Sequence, residues 1–148
     1  MPTSPNSIIT AQAPYAAALS LAAVTACATR APTSTASLAA ANIFQLAAPT
    51  TNGLRIDRIR VKGSSSSITA TTAAQTVLIF LWDGTTAWPF DEIPIAALAP
   101  STSIPSFLIE QQYVGLVIPA TWAVYSATTV TTTAATTALD VILVGATL

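Results

Sequence analysis

Histidine is absent from these 148 residues, cysteine and methionine occur once each, and charge is scarce: five cations and six anions. Without histidine, the usual base for a Ser or Cys nucleophile is missing, and no G-x-S-x-G elbow replaces it. One cysteine allows no internal disulfide, and metal sites built on His or Cys clusters are ruled out by count. Charged residues make up 7% of the chain, whereas ordinary soluble domains carry about 25%. Such a surface has given up much of the repulsion that keeps proteins apart in solution. A net charge of −1 and a pI near 4.9 give no general attraction to nucleic acid or acidic membranes. Long runs of strong hydrophobes are missing too. The best window, residues 11–28, is rich in Ala, Ser and Thr with Pro14 near its start, so no membrane-spanning helix is expected. Val24-Thr25-Ala26-Cys27 superficially resembles a lipid-accepting signal, but no Lys or Arg precedes Arg30 to form a positive leader. Cys27 is expected to be a buried structural thiol.

What is present is small: 30 Ala, 24 Thr and 13 Ser, together 67 of 148 residues. The strong hydrophobes come as short β-branched and aromatic runs, a pattern that suits strands better than helices. Disordered chains are poor in hydrophobes and rich in charge, the reverse of this composition. The length suits one domain with a sizeable core. The expected organisation is an extended N-terminal arm at 1–14, containing Pro2, Pro5 and Pro14, followed by an all-β, jelly-roll-like sandwich at 15–148.

Along the chain, residues 15–29 lean to a strand through Leu19 and Leu21, and Pro32 marks a loop at 30–37. A strand at 38–47 carrying Ile43, Phe44 and Leu46 is expected to turn at Asn52-Gly53 into a strand at 54–62, because Asn-Gly is a strong hairpin signal. Residues 64–67, four serines, read as a flexible polar loop. Val77-Leu78-Ile79-Phe80-Leu81-Trp82 is apolar without interruption, so both of its faces should be covered. Asp83-Gly84 reads as a second hairpin turn, leading to a strand at 88–95 that Pro89 and Pro94 confine to an edge. Further strands are expected at 107–109, 113–118, 122–126 and 139–144, with a Thr-rich loop over 128–137. Many short strands with frequent turn signals and no convincing helix argue for a β-sandwich or jelly roll.

Two stretches carry a resemblance: Asn52-Gly53-Leu54-Arg55-Ile56-Asp57-Arg58-Ile59-Arg60-Val61-Lys62, and Leu78-Ile79-Phe80-Leu81-Trp82-Asp83-Gly84-Thr85 with Trp88 and Asp91-Glu92-Ile93-Pro94-Ile95 behind it. The chain resembles small tailed-bacteriophage head decoration (cement) proteins, which share a G-x-R-I-D-R-I-R strand, an L-F-I-x-D-G-T hairpin and an E-I-P-V segment. The resemblance covers roughly 43–148, and residues 16–41 depart from it. It implies a small β-sandwich, often trimeric, on the outside of a capsid at junctions between major capsid proteins.

Among residues that could carry chemistry, the basic strand comes first. Leu54 and Ile56 hold one phase of a two-residue period and Ile59 and Val61 the other, so a β-bulge near Asp57-Arg58 would restore a single apolar face. Arg55, Asp57, Arg58, Arg60 and Lys62 would then share the opposite face. Its plain reading is a solvated surface with Asp57 pairing an arginine. Its functional reading is a docking stripe in which Arg55, Arg58, Arg60 and Lys62 meet acidic groups of a partner. Nucleic acid fits poorly, because no second basic element or aromatic platform accompanies the stripe. Trp82, Trp88 and Trp122, with Phe90, Tyr113 and Tyr125, read as core or interface aromatics, and less readily as a sugar platform. Asp91 and Glu92 should point to opposite faces of a strand, which is not a glycosidase pair, and Asp83 reads as a turn residue. Asp57, Asp83 and Asp140 leave an oxygen-ligand Ca²⁺ site as a minor alternative.

The expectation is therefore a non-enzymatic virion protein without cofactor or metal, made in the host cytoplasm and placed on the outer capsid surface. Its partners would be the major capsid protein and its own copies in a homotrimer, not nucleic acid or membrane. The alternative is a tail- or fibre-associated module that recognises a host glycan.

Overall fold

The computed structural model describes residues 13–148, so most of the expected N-terminal arm, residues 1–12, lies outside the described residues. The described residues form nine strands: β1 (Ala13–Leu21), β2 (Thr33–Ser34), β3 (Phe44–Ala47), β4 (Leu54–Gly63), β5 (Gln75–Trp82), β6 (Thr86–Ile95), β7 (Leu108–Ile118), β8 (Ala123–Thr128) and β9 (Leu139–Thr147). Thr35–Ser37 adds one 3₁₀ turn, and no α-helix occurs among the described residues. The chain is all-β, as its composition implied.

The strands form two antiparallel sheets. Sheet A has the order β1-β9-β4-β7 and sheet B the order β2-β6-β5-β8-β3. With the two-residue β2 set aside, the eight long strands pair as a folded hairpin: β1 with β9, β3 with β8, β4 with β7 and β5 with β6. That nesting is jelly-roll topology. Between the sheets lies an apolar core that includes Leu21, Ile56, Val61, Ile79, Val124 and Leu143. Burying each such side chain stabilises the fold by roughly 1.5–3 kcal/mol.

A bulge in β4 sets the faces of sheet A. The register shifts between Ile56 and Arg58 against both neighbouring strands, leaving Asp57 as the extra residue against β9. Leu54, Ile56, Ile59 and Val61 consequently all enter the core, at 1% exposure or less. Gly145, the partner of Ile56, makes the bulge possible, because a Cβ there would overlap the carbonyl oxygen of Arg55. Against β7 the mismatch reverses. Asp57 faces Tyr113, Val114 and Gly115, and Val114 stands wholly in solvent beside Gly115 at φ +71°.

Strand β5 is covered on both faces, as its unbroken hydrophobicity required. Val77 and Ile79 face the inter-sheet core, while Leu78 and Phe80 pack beneath Leu38, Ala41 and Ile43 of the β1–β3 connection. Residues 22–43 thus form a lid on sheet B. Cys27 N donates to Thr128 O at 2.7 Å, Val24 N to Thr132 Oγ1 at 3.1 Å and Asn42 Nδ2 to Ala26 O at 3.1 Å. Cys27 is half-buried in this lid rather than buried, its thiol donating to Thr29 O.

Several boundaries differ from expectation. Strand β1 starts at Ala13, two residues before the expected domain start, and ends at Leu21, with irregular lid beyond it rather than strand to 29. Of the expected strand at 38–47, only Phe44–Ala47 is extended, because Leu38 to Asn42 turn to cover Phe80. Asn52-Gly53 does not close a hairpin: β3 lies in sheet B and β4 in sheet A, so this turn crosses between sheets. Gly53, at φ +99°, instead accepts a hydrogen bond from Leu148 N at the end of sheet A. The strands expected at 107–109 and 113–118 are one strand, β7, which begins at Leu108 and stays paired through Glu110, Gln111 and Gln112. The Asp83-Gly84 hairpin and the edge character of β6 stand as expected, since β2 pairs only with Thr86 and Ala87.

Candidate docking face

The four cations of β4 lie together on the outer face of sheet A. Cross-strand register defines the rows of that face: Ser20, Asp140, Lys62 and Leu108; then Ala18, Ile142, Arg60 and Glu110; then Ala16, Val144, Arg58 and Gln112; then Pro14, Ala146, Arg55 and Val117. One half of the face, from β1 and β9, is therefore small and aliphatic apart from Asp140 at its end. The other half is the basic stripe with its counter-ions.

Most of the stripe's charge is answered from within the chain. Arg55 grips Asp57 with a two-point fork, Nε to Oδ1 at 2.7 Å and Nη2 to Oδ2 at 3.2 Å. Arg60 Nε donates to Glu110 Oε2 at 2.5 Å, and Arg58 reaches the same oxygen only at 3.8 Å. The Arg60 hydrogen bond is the chief reason that Glu110 titrates below the usual carboxylate range. Lys62 forms no ion pair among the described residues, although Asp140 is its register partner. Three carboxylates thus face four cations. These side chains are a quarter or more exposed, so water screens each pair and its contribution to stability is small. The pairs fix direction more than they add stability.

The sequence placed Arg55, Arg58, Arg60 and Lys62 on one face, and the structure does bring them together. The sequence did not reveal Glu110 as the shared counter-ion, nor the aliphatic half made by Ala16, Ala18, Ile142 and Val144. The alternation in β1 was visible, but which strand would lie beside it depends on non-local pairing.

The aromatics separate into two environments. Trp82 and Tyr125 pack tilted at 6.2 Å under the sheet B lid, and the Trp82 indole donates to Thr35 Oγ1 at 3.0 Å. Trp122 is half-buried against the inter-sheet core. Trp88 and Phe90 stand exposed on β6, with Phe90 tilted against Tyr113 at 5.6 Å. Asp83 organises the hairpin below them. It accepts from Thr85 N, Thr86 N and the Trp88 indole, each at 2.8 Å, and these donors hold its carboxyl far below the ordinary range, the indole foremost. Asp91 accepts the Tyr113 hydroxyl, while Glu92 pairs with Arg30 on the other side of β6. Asp57, Asp83 and Asp140 are not gathered, and no group of three metal-ligating side chains exists among the described residues. No helix among them is long and apolar enough to cross a membrane. No protein-family model, no curated protein and no solved structure matches the chain.

Proposed function

We propose that this protein is a virion component without enzymatic activity, a capsid decoration or cement protein that binds the outer surface of a phage head as a homotrimer and stabilises contacts between major capsid protein subunits. One observation carries the reading: the outer face of sheet A is half aliphatic and half self-neutralised charge, in a chain with only 11 charges in all. Solvent-facing sheet surfaces of this kind mark interaction sites. The strand and hairpin motifs shared with head decoration proteins support the same reading. Docking would proceed by burial of the β1–β9 half, while the basic stripe sets orientation, and repeated copies add their weak contacts through multivalency. The apolar part should be indifferent to salt, and only the stripe should respond to it. The test is co-sedimentation of the purified protein with heads lacking it, together with its mass in solution. A strict monomer that never co-sediments with heads sinks the proposal.

A second reading, a tail- or fibre-associated module for host glycans, draws on Trp88, which is 47% exposed with its indole N–H fixed by Asp83. A glycan array decides it: binding that is lost on Trp88→Ala would favour this reading over the first.

A further inference from the structure

The end of β4 opens into a cavity of about 430 Å³ between the loop that follows it and the loop that precedes β7. Lys62, Ser65, Ser67, Ile68, Ile104 and Ser106 are among the residues that line it. Two of its isoleucines stand largely in water, Ile68 at 70% exposure and Ile104 at 50%, and Leu108, the register partner of Lys62, is exposed beside it. Three of the seven exposed large hydrophobics among the described residues are therefore grouped around one opening. With them is Lys62, the cation of the stripe that has no ion pair among those residues.

The walls are built rather than loose. Ser64 N donates to Ala138 O, Ser66 N to Ala134 O and Ser65 Oγ to Thr136 O, tying the first loop to the Thr-rich segment. The second loop is closed by Ser101 N to Ile104 O at 2.9 Å and Ile104 N to Ser101 Oγ at 3.1 Å. Gly63 leaves room for Ser106, whose hydroxyl a Cβ at Gly63 would overlap.

We infer that this cavity is a docking pocket for an extended segment of a protein partner that carries an aliphatic side chain next to an Asp or Glu. The aliphatic group would cover Ile68 and Ile104, and the carboxylate would take Lys62, with the Ser106 hydroxyl as a second donor. Charge complementarity selects this occupant. No carboxylate lines the cavity to hold a metal, no aromatic ring offers a sugar or base platform, and a single lysine is too little for a phosphate backbone. The pocket meets the docking face at Lys62 and its register partner Leu108, and the inference does not depend on the partner being a capsid.

The test is an amide chemical-shift titration of the ¹⁵N-labelled protein with two capped pentapeptide probes, one with glutamate between two leucines and one with glutamine there. The glutamate peptide should move amides of residues 62–70 and 101–108, with a dissociation constant on the order of 1 mM. The glutamine peptide should bind about fivefold or more weakly. Lys62→Gln should abolish that preference, and Ile104→Ser should weaken both peptides. Shifts spread over the surface or centred on Trp88 overturn the inference, as do equal affinities or indifference to Lys62→Gln. These outcomes are independent of whether the protein sediments with heads, so either proposal can fail alone.

Discussion

The phenolic hydroxyl of Tyr113 on β7 donates a 2.7 Å hydrogen bond to Asp91 Oδ2 on β6, joining the edge strand of sheet A to a strand of sheet B. Burial first, and the Asp91 carboxylate second, push the Tyr113 phenol above its usual range. A raised folded value means that stability is retained at lower pH and lost as pH rises. The loss begins near pH ~10, where the unfolded phenol ionises while the folded one keeps its proton. Tyr113→Phe should cost about 1 kcal/mol at neutral pH and flatten that alkaline decline. Denaturant melts from pH 7 to 11 check both.

Acid should act in the opposite sense through Asp83. Its folded value is depressed, so its contribution is present above the ordinary carboxylate range and disappears as pH falls through and below that range. Asp83→Asn should reduce the dependence of thermal stability on pH between about 2 and 5, with the wild-type advantage shrinking toward the acid end. Glu110 contributes a slope of the same sign, which Glu110→Gln should remove separately. Thermal melts of the two single variants and the double variant measure each share.

Gly145→Ala tests the support of the β4 bulge. A methyl group there meets the backbone of Arg55, which cannot swing aside like a side-chain tip. The loss should reach about 3 kcal/mol, the upper end for overpacking. Gly84→Ala is the comparison: no atom lies near its added methyl, so its cost is confined to backbone strain at φ +108°. Urea unfolding of the two variants separates collision from strain.

The lid over sheet B makes a further claim. Phe80 lies on the side of β5 away from the inter-sheet core, yet is 1% exposed. Phe80→Ala should therefore cost about 3–5 kcal/mol, as in a true core. If residues 22–43 were a loose cover, the cost would be a fraction of that. Protection of the Cys27 and Thr132 amides in hydrogen exchange should fall in the same variant, since Cys27 N donates to Thr128 O and Thr132 N to Val24 O, both between the lid and the chain beneath it.

What could be read from the residues was governed by parity and local turn chemistry. The phase change between Ile56 and Ile59 required a bulge, the run from Val77 to Trp82 required cover on both faces, and Pro89 and Pro94 required an edge. Partners chosen at long range were hidden. Asn52-Gly53 has the chemistry of a tight turn, but nothing local states which sheet the next strand will join. Glu110, Gln111 and Gln112 look like a break, yet pairing with Ile59 and Arg60 carries β7 through them. The cation row was legible because it lies on one strand, and its aliphatic neighbours were not, because they come from two others.

Asp57 matters less as a charge than as a unit of counting. Were the strand to run through Asp57 without its bulge, parity would change beyond it, so Arg58, Arg60 and Lys62 would turn toward the interior while Ile59 and Val61 turned out to water. A chain with five cations would then carry three of them in its apolar centre. The separation of a wettable stripe from a dry interior is held in this protein by a bulge that leaves one residue, Asp57, out of the count.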